Sequence, residues 1–398
     1  MEKVSSLYIH IPFCISKCAY CDFFSKAQGE KASSVHSPVP DSYIQALIKE
    51  ITFRLSSNGL SQLKTIYIGG GTPSLLSSEQ FLLLFDSMKK LVKLDGAEIT
   101  VEVNPDDVSL DLLQVLEACG VNRISCGIQS MNNEALKLAC RRADAETNRK
   151  ALSLLRDYWP GTLSLDLISA LPGDDEESLL LSLQEVCRAK ADHISFYSLT
   201  IEEETPFGKM LATGELNYDF DRADKLWLLG RDFLEKEGYV WYEVSNFCLK
   251  EKECRHNLVY WTHGAYLGCG SGATGTIYYE DGRGFRWTNS QNIEEYINYW
   301  TGQGKESVKR AERDEEIDLE TSKFEFFMMS LRKSSGFTEK EYQKAFAEKL
   351  PEKFTSLFDS WQKRGLCKKE TEEKDGEVRY AMSRQGMLFL NRFLEELV

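Results

Sequence analysis

The chain has 398 residues, 42% of them hydrophobic, and a formal net charge of −14. That length suits a large α/β unit with a smaller appendage, while no run of about eighteen apolar residues offers a membrane span and the N-terminus lacks the basic start and apolar stretch of a secretion signal. Its 11 cysteines, an odd number, fit a reducing compartment, so the cytoplasm is expected, and the acidic balance disfavours bulk binding to nucleic acid or anionic lipid.

An apolar β-type run, Leu7–Ile11, leads through Pro12-Phe13 into Cys14, Cys18 and Cys21, and Asp22-Phe23 closes the loop. Three thiolates at CxxxCxxC spacing can hold three corners of an iron–sulfur cube and leave one iron with an open coordination position. The spacing alone fits two other arrangements, a three-thiolate zinc site completed by His10 or three small core thiols. The polar segment Ala27–Pro40 then reads as an insertion or solvated loop.

Further strands are expected at Thr65–Ile68, Glu98–Val103, Arg123–Gly127, Leu163–Ile168 and His193–Leu199. Helical periodicity fills the intervals at Tyr43–Leu55, Gln80–Val92, Leu110–Ala118, Ala145–Arg156 and Ser178–Ala189. Six strands with crossover helices predict an α/β fold, a partial (β/α)6 TIM-like barrel over residues 1–240, with its site at the C-terminal ends of the strands. Residues 241–305 read as an extension of this core. Composition changes near Lys305–Arg313, after which helices at Leu319–Leu331, Glu339–Lys349 and Phe354–Arg364, two short strand-like runs and a last helix at Arg384–Leu397 predict a winged-helix-like module over 306–398. No basic recognition helix accompanies it, so DNA binding is not expected.

Several residues at strand ends carry chemistry. Gly69-Gly70-Gly71-Thr72-Pro73 follows the second strand, and missing Cβ atoms let backbone approach a ligand, although a tight turn needs the same residues. Glu102 and Asp166 are carboxylates inside apolar strand patterns, which is costly unless each is paired or binds something. Gln129 offers an amide after the fourth strand. Arg141 offers a bidentate fork for a carboxylate, or is simply part of a solvated Arg141-Arg142 pair.

With the cysteine loop, this ordered set resembles the radical S-adenosylmethionine (radical SAM) family, in the branch containing anaerobic coproporphyrinogen dehydrogenases and haem chaperones. The resemblance covers nearly the whole chain and is strongest over Tyr8–Asp166 and His256–Gly275. It implies a [4Fe-4S] cluster on Cys14, Cys18 and Cys21, and SAM held by Tyr8, Tyr20, Gly70, Gly71, Thr72, Glu102, Gln129, Arg141 and Asp166, with Ser198 and Thr274 aligned less securely. Relatives commonly read Arg-x-His where Arg141-Arg142-Ala143 stands, and Thr274 replaces a frequent histidine, which puts a pocket role for those positions in doubt.

Two features separate the branch's functions. The enzymes continue their motif as CxxxCxxCxC, and Phe23 occupies the place of the fourth cysteine. The chaperones carry HNxxYW, matched by His256-Asn257-Leu258-Val259-Tyr260-Trp261. Imidazole is a good axial ligand for haem iron and aromatic rings can cover a porphyrin, so His256, or Cys254 nearby, becomes the candidate haem ligand; otherwise the pair is a turn cap beside core aromatics. The resemblance thus implies a haem chaperone carrying haem as cargo to an acceptor haemoprotein, such as a membrane respiratory enzyme, with homodimerisation compatible. The alternative is oxygen-independent coproporphyrinogen III dehydrogenase, and a zinc-stapled interaction scaffold stands as a third reading.

Overall fold

The computed structural model describes residues 4–29, 38–302, 312–371 and 376–398. Strands β1 (Ser6–Ile11), β2 (Thr65–Gly70), β3 (Glu98–Val103), β4 (Arg123–Gln129), β5 (Thr162–Ser169) and β6 (His193–Ser198) lie side by side in that order, all parallel. Leu267–Cys269 adds a parallel strand beside β1, and Asn246–Cys248 with Val240–Glu243 extends the sheet antiparallel beyond β6, giving nine strands. The expected partial TIM-like barrel is therefore the fold. Helices Asp41–Ser57, Ser78–Lys89, Leu110–Cys119, Ala145–Tyr158 and Glu176–Arg188 make the crossovers. Their starts follow from capping: the Ser77 side chain accepts from the Gln80 amide while the Gln80 side chain returns the bond, and Asp144 caps the Thr147 amide. Phe220–Lys236, which the sequence reading did not single out, covers β6.

Side-chain alternation gives the curved sheet an outer and an inner face. Leu7, Ile9 and Ile11 on β1, Ile66 and Ile68 on β2, and Leu163, Leu165 and Leu167 on β5 are buried in one apolar core with Leu47, Phe81 and Leu84 of the outer helices. The other parity carries Tyr8, His10, Tyr67, Thr100, Glu102, Ser125, Ser164, Asp166 and Ser195, which meet one another across the interior. The barrel is thus greasy outside and polar within.

Its floor is closed by the helix Arg255–Trp261. Glu98, at the start of β3, accepts from the Arg255 amide at 3.0 Å and the His256 amide at 2.9 Å, so a carboxylate caps the positive end of this helix. Arg123 of β4 donates to the Lys252 carbonyl at 3.2 Å, and His193 of β6 bridges Ser164 and the Tyr242 hydroxyl.

After the barrel, Thr274–Tyr278, Gly284–Asn289 and Glu312–Ile317 form a three-stranded antiparallel sheet that the sequence reading did not anticipate. The winged-helix-like module follows, with helices Leu319–Ser330, Glu339–Phe346 and Glu352–Lys363 and a sheet of Phe337–Thr338, Val378–Met382 and Cys367–Thr371. Two helices are shorter than expected. One ends at Phe346 because Ala347 turns left-handed (φ 54°), and the last begins only at Leu390, after a tight turn over Gly386–Phe389. Phe326, Phe327, Phe337, Tyr342, Phe354 and Phe358 form the module's centre within the same continuous core as the barrel. Where the insertion begins, Lys26–Ala27 pairs with Phe13–Cys14; residues 30–37 and most of the charged stretch near 305 lie outside the described residues.

A buried ion pair ties first helix to late sheet. The Glu50 carboxylate, wholly inaccessible, receives Arg54 at 3.1 Å, the Asn289 amide at 2.8 Å, the Gly270 backbone N–H at 2.8 Å and the Tyr296 hydroxyl at 2.6 Å. Burial raises its pKa and Arg54 opposes the rise. Glu50→Ala takes the shared acceptor from four buried donors and should cost about 3–5 kcal/mol in urea unfolding; a loss under about 1 kcal/mol would mean the network contributes little.

Candidate functional site

At the C-terminal ends of β1–β6 a cavity of about 350 Å³ opens. Cys14, Cys18 and Cys21 line it together with Tyr20, Gly70, Gly71, Thr72, Glu102, Gln129, Arg141, Asp166 and Ser198. Nine of the twelve positions expected to hold a cofactor or haem, and all three thiols, therefore share one chamber. The other three, Tyr8, Thr274 and His256, are not in its lining.

The thiols are positioned by backbone. Phe13–Cys14 pairs with Lys26–Ala27, the Ala19 amide donates to the Ala139 carbonyl at 3.0 Å, and the Phe207 amide donates to Ala19 at 2.9 Å. All three are free and half-buried. Burial pushes the Cys14 thiol up, and the Cys21 thiol to about 11. Second-layer donors already point at sulfur: the Thr72 hydroxyl reaches Cys14 Sγ and Arg141 Nη1 reaches Cys18 Sγ, each at 3.5 Å. Phe23, where a fourth thiol would stand, is 71% exposed at the rim.

Glycine is required at two places in the cradle. Gly70 has φ 113°, a region closed to side chains, and its amide donates to Glu102 at 3.2 Å. A Cβ on Gly71 would stand 2.6 Å from the Phe13 carbonyl and 3.0 Å from Cys14 Sγ. The backbone there runs against the cysteine loop itself.

Opposite the thiols sit two carboxylates. Glu102 accepts from the Tyr67 hydroxyl at 2.7 Å, and Asp166 accepts from Ser125 at 3.0 Å. Burial raises the Glu102 pKa to about 7, with Asp166 adding repulsion and Tyr67 and Gly70 opposing, and raises Asp166 to about 6. Arg141 donates through Nη2 to the Gly127 carbonyl at 2.6 Å and to Asn104 at 3.4 Å. Gln129, at φ 67°, follows an irregularity in the β4–β5 pairing between Gly127 and Gln129. Gln129 Oε1 and Arg141 Nε are buried without a hydrogen-bond partner among the described residues, an acceptor and a donor left over for a ligand.

The donor set suits a cluster with thiolate ligands and, beside it, a ligand presenting a cation and hydroxyl groups. Among the described residues no three His, Cys, Asp or Glu side chains are gathered tightly enough for a single metal ion; a four-iron cube is wider and takes more separated sulfurs. Tyr67, Asn104 and Ser125 were missed by sequence reading. Their signal was parity: Tyr67 and Ser125 fall on the inward face of strands whose other face is wholly apolar.

Tyr8, Thr274 and His256 stand apart from this lining. Tyr8 lies deeper in the barrel, its hydroxyl bonded to His10 Nδ1 at 2.8 Å. Thr274 pairs with Thr288 in the three-stranded sheet, their hydroxyls 2.9 Å apart. His256 lies in the floor plug with no exposed surface. Both its nitrogens are taken, Nδ1 by Thr65 at 2.8 Å and Nε2 by Tyr260 at 2.9 Å, and burial lowers its pKa to about 3. Cys254 is equally buried, its thiol 3.6 Å from Glu98. In this conformation neither presents a free ligand to a porphyrin.

A model of the radical SAM superfamily matches residues 8–186. The heme chaperone HemW of Bacillus subtilis is 32% identical over 99% of this chain and 100% of that protein, and the heme chaperone HemW of Escherichia coli is 36% identical over 82% of each. Among solved structures, coproporphyrinogen III oxidase (HemN) from Escherichia coli, described as a radical SAM enzyme, superposes with a TM-score of 0.79 at 22% identity, over 100% of this chain and 90% of that one, a likeness of fold.

The raised acid at Glu102 fixes a sign. With its carboxyl at about 7 in the folded chain and near 4.5 unfolded, there is no penalty below both values and a full penalty, about 3 kcal/mol, above both. Metal-free protein should lose stability as pH rises from 4.5 to 8, and Glu102→Gln should flatten that slope in urea titrations. Equal slopes would place the charge elsewhere.

Proposed function

The chain belongs to the radical SAM superfamily, in the branch of HemW and HemN, and from that membership we propose that it is a haem chaperone, binding haem and passing it to an acceptor haemoprotein. The superfamily's cofactors are a [4Fe-4S] cluster and SAM. The observation that carries the reading beyond the superfamily is similarity over the full length to HemW, the C-terminal module included.

In this proposal Cys14, Cys18 and Cys21 ligate the cluster, which when bound supplies an iron with an open position and one-electron chemistry. The chain's own residues do the rest. Thr72 and Arg141 steady the sulfurs, Glu102 and Asp166 accept from the amino group and hydroxyls of SAM, Gln129 Oε1 takes a further donor, and Arg141 Nε faces the carboxylate. Phe23 denies the cluster loop the extra thiol of the dehydrogenase motif. The HemN-like fold supports a second reading, oxygen-independent coproporphyrinogen III dehydrogenase, and that missing thiol weighs against it. The acceptor we favour is a membrane respiratory enzyme, met from the cytoplasm; no helix among the described residues is long and apolar enough to cross the bilayer. The winged-helix-like module, residues 306–398, would serve as lid or docking surface, and a homodimer is compatible.

Anaerobically reconstituted protein should shift the Soret band of added haem and pass that haem to a haem-stripped acceptor, while coproporphyrinogen III with SAM and dithionite should yield no vinyl product. The opposite pair of results makes it the dehydrogenase. SAM should bind more tightly as pH rises through about 7, where Glu102 ionises, and Glu102→Gln should abolish that dependence in equilibrium dialysis; an unchanged profile removes Glu102 from the ammonium site.

A further inference from the structure

A second cavity, of about 340 Å³, lies at the far end of the barrel, where Ser5 and Ser6 at the start of β1 meet the turn after Arg255–Trp261 and the helices Leu319–Ser330 and Glu339–Phe346. Roughly 17 Å of strand separates the foot of β1 from its cysteine end. Nothing in the cluster chemistry uses this space.

His263 stands in its wall. The residue follows the end of the plug helix in left-handed conformation (φ 54°), a position that favours glycine, with its amide donating to the Tyr260 carbonyl at 3.1 Å and the Gly264 amide to Val259 at 2.8 Å. A histidine held there is strained, and strain of this kind is kept where a side chain is wanted. The ring lies on Tyr278, centroids 3.8 Å apart, with Phe326 and Phe346 about its edge at 5.9 and 6.0 Å. Nε2 has only Ser322 at 3.5 Å, and Nδ1 has no hydrogen-bond partner among the described residues. Burial lowers its pKa to about 3, leaving a neutral imidazole with a lone pair to donate.

Lys333 lines the same cavity and is only 6% exposed. Its ammonium has no ion-pair or hydrogen-bond partner among the described residues; Glu341, which also lines the cavity, attracts it from a distance while capping its own helix through the Thr338 amide at 2.7 Å, and Arg379 repels it. A buried, unpaired cation is costly and calls for an anion. The aromatic wall calls for a flat apolar body, and a neutral imidazole for a metal with a vacant axial position. One ligand class meets all three demands, a metalloporphyrin bearing propionates.

We infer that this cavity is the haem site, with His263 as axial ligand and Lys333 pairing a propionate, the exposed edge at Thr262 and Lys344 leaving the rest of the porphyrin at the surface for hand-over. The inference rests on the haem-chaperone reading and gives it a location distinct from His256.

The test is a ferric haem titration of cluster-loaded protein, read by affinity and Soret position. His263→Gly, which suits the left-handed backbone and so preserves folding, should bind at least tenfold more weakly with a changed spectrum, and added free imidazole should restore the wild-type band. Lys333→Met should weaken binding without moving the band. Ala345→Trp, from a half-exposed position on the cavity wall, should block binding, and His256→Gln should leave the spectrum unchanged. If wild type binds haem and His263→Gly matches it in affinity and spectrum, or if Ala345→Trp binds normally, the location is wrong while the chaperone reading stands. If wild type binds no haem, both fall.

Discussion

The strands of the barrel present apolar residues outward and polar residues inward, and the architecture of the site depends on that segregation. A polar lumen is unstable unless its groups satisfy one another or a ligand. The lower half is packed solid and bonded largely within itself, by Glu98 against the helix amides, His256 against Thr65 and Tyr260, and His193 against Ser164 and Tyr242, with Thr100 Oγ1 and Arg123 Nη2 left over. The upper half is closed only in part, with Gln129 Oε1 and Arg141 Nε unpartnered and two carboxylates raised by burial. The asymmetry makes one end of the barrel a scaffold and the other a receptor.

The six barrel strands and their helices were readable in the sequence because each strand has an apolar parity and stops at Gly, Asn or Ser, or at Pro12 in the case of β1. The three-stranded sheet was not. Its first two strands contain glycines that blur the alternation, and its third, Glu312–Ile317, reads as a charge run because its pairing is with another edge rather than with a core. Capping and left-handed turns, as at Ala347, set helix ends that periodicity alone extends too far.

The site divides in the same way. Cysteines, glycines and isolated carboxylates announce themselves by type, and the fold brings them to one chamber. Tyr67, Asn104 and Ser125 do not, since a polar residue on an alternating strand looks ordinary until its partner across the lumen is known. His256 shows the converse. Its motif drew attention to a ligand role, yet the ring sits 5.4 Å from Tyr67, which in turn bonds Glu102, so the motif closes the floor and braces the wall on which the receptor end is built. A histidine with both nitrogens engaged, as at His256, is a structural part, and only coordinates show that engagement.

The continuous apolar core shared by barrel and C-terminal helices has an evolutionary corollary. Phe326 and Phe327 meet the module's aromatics and belong to the same buried mass as the strand leucines, so the barrel cannot shed this module, nor borrow a foreign one, without wetting its own seam. Inheritance of the two as a single piece follows from that shared burial, independent of whatever selection acts on either one's task.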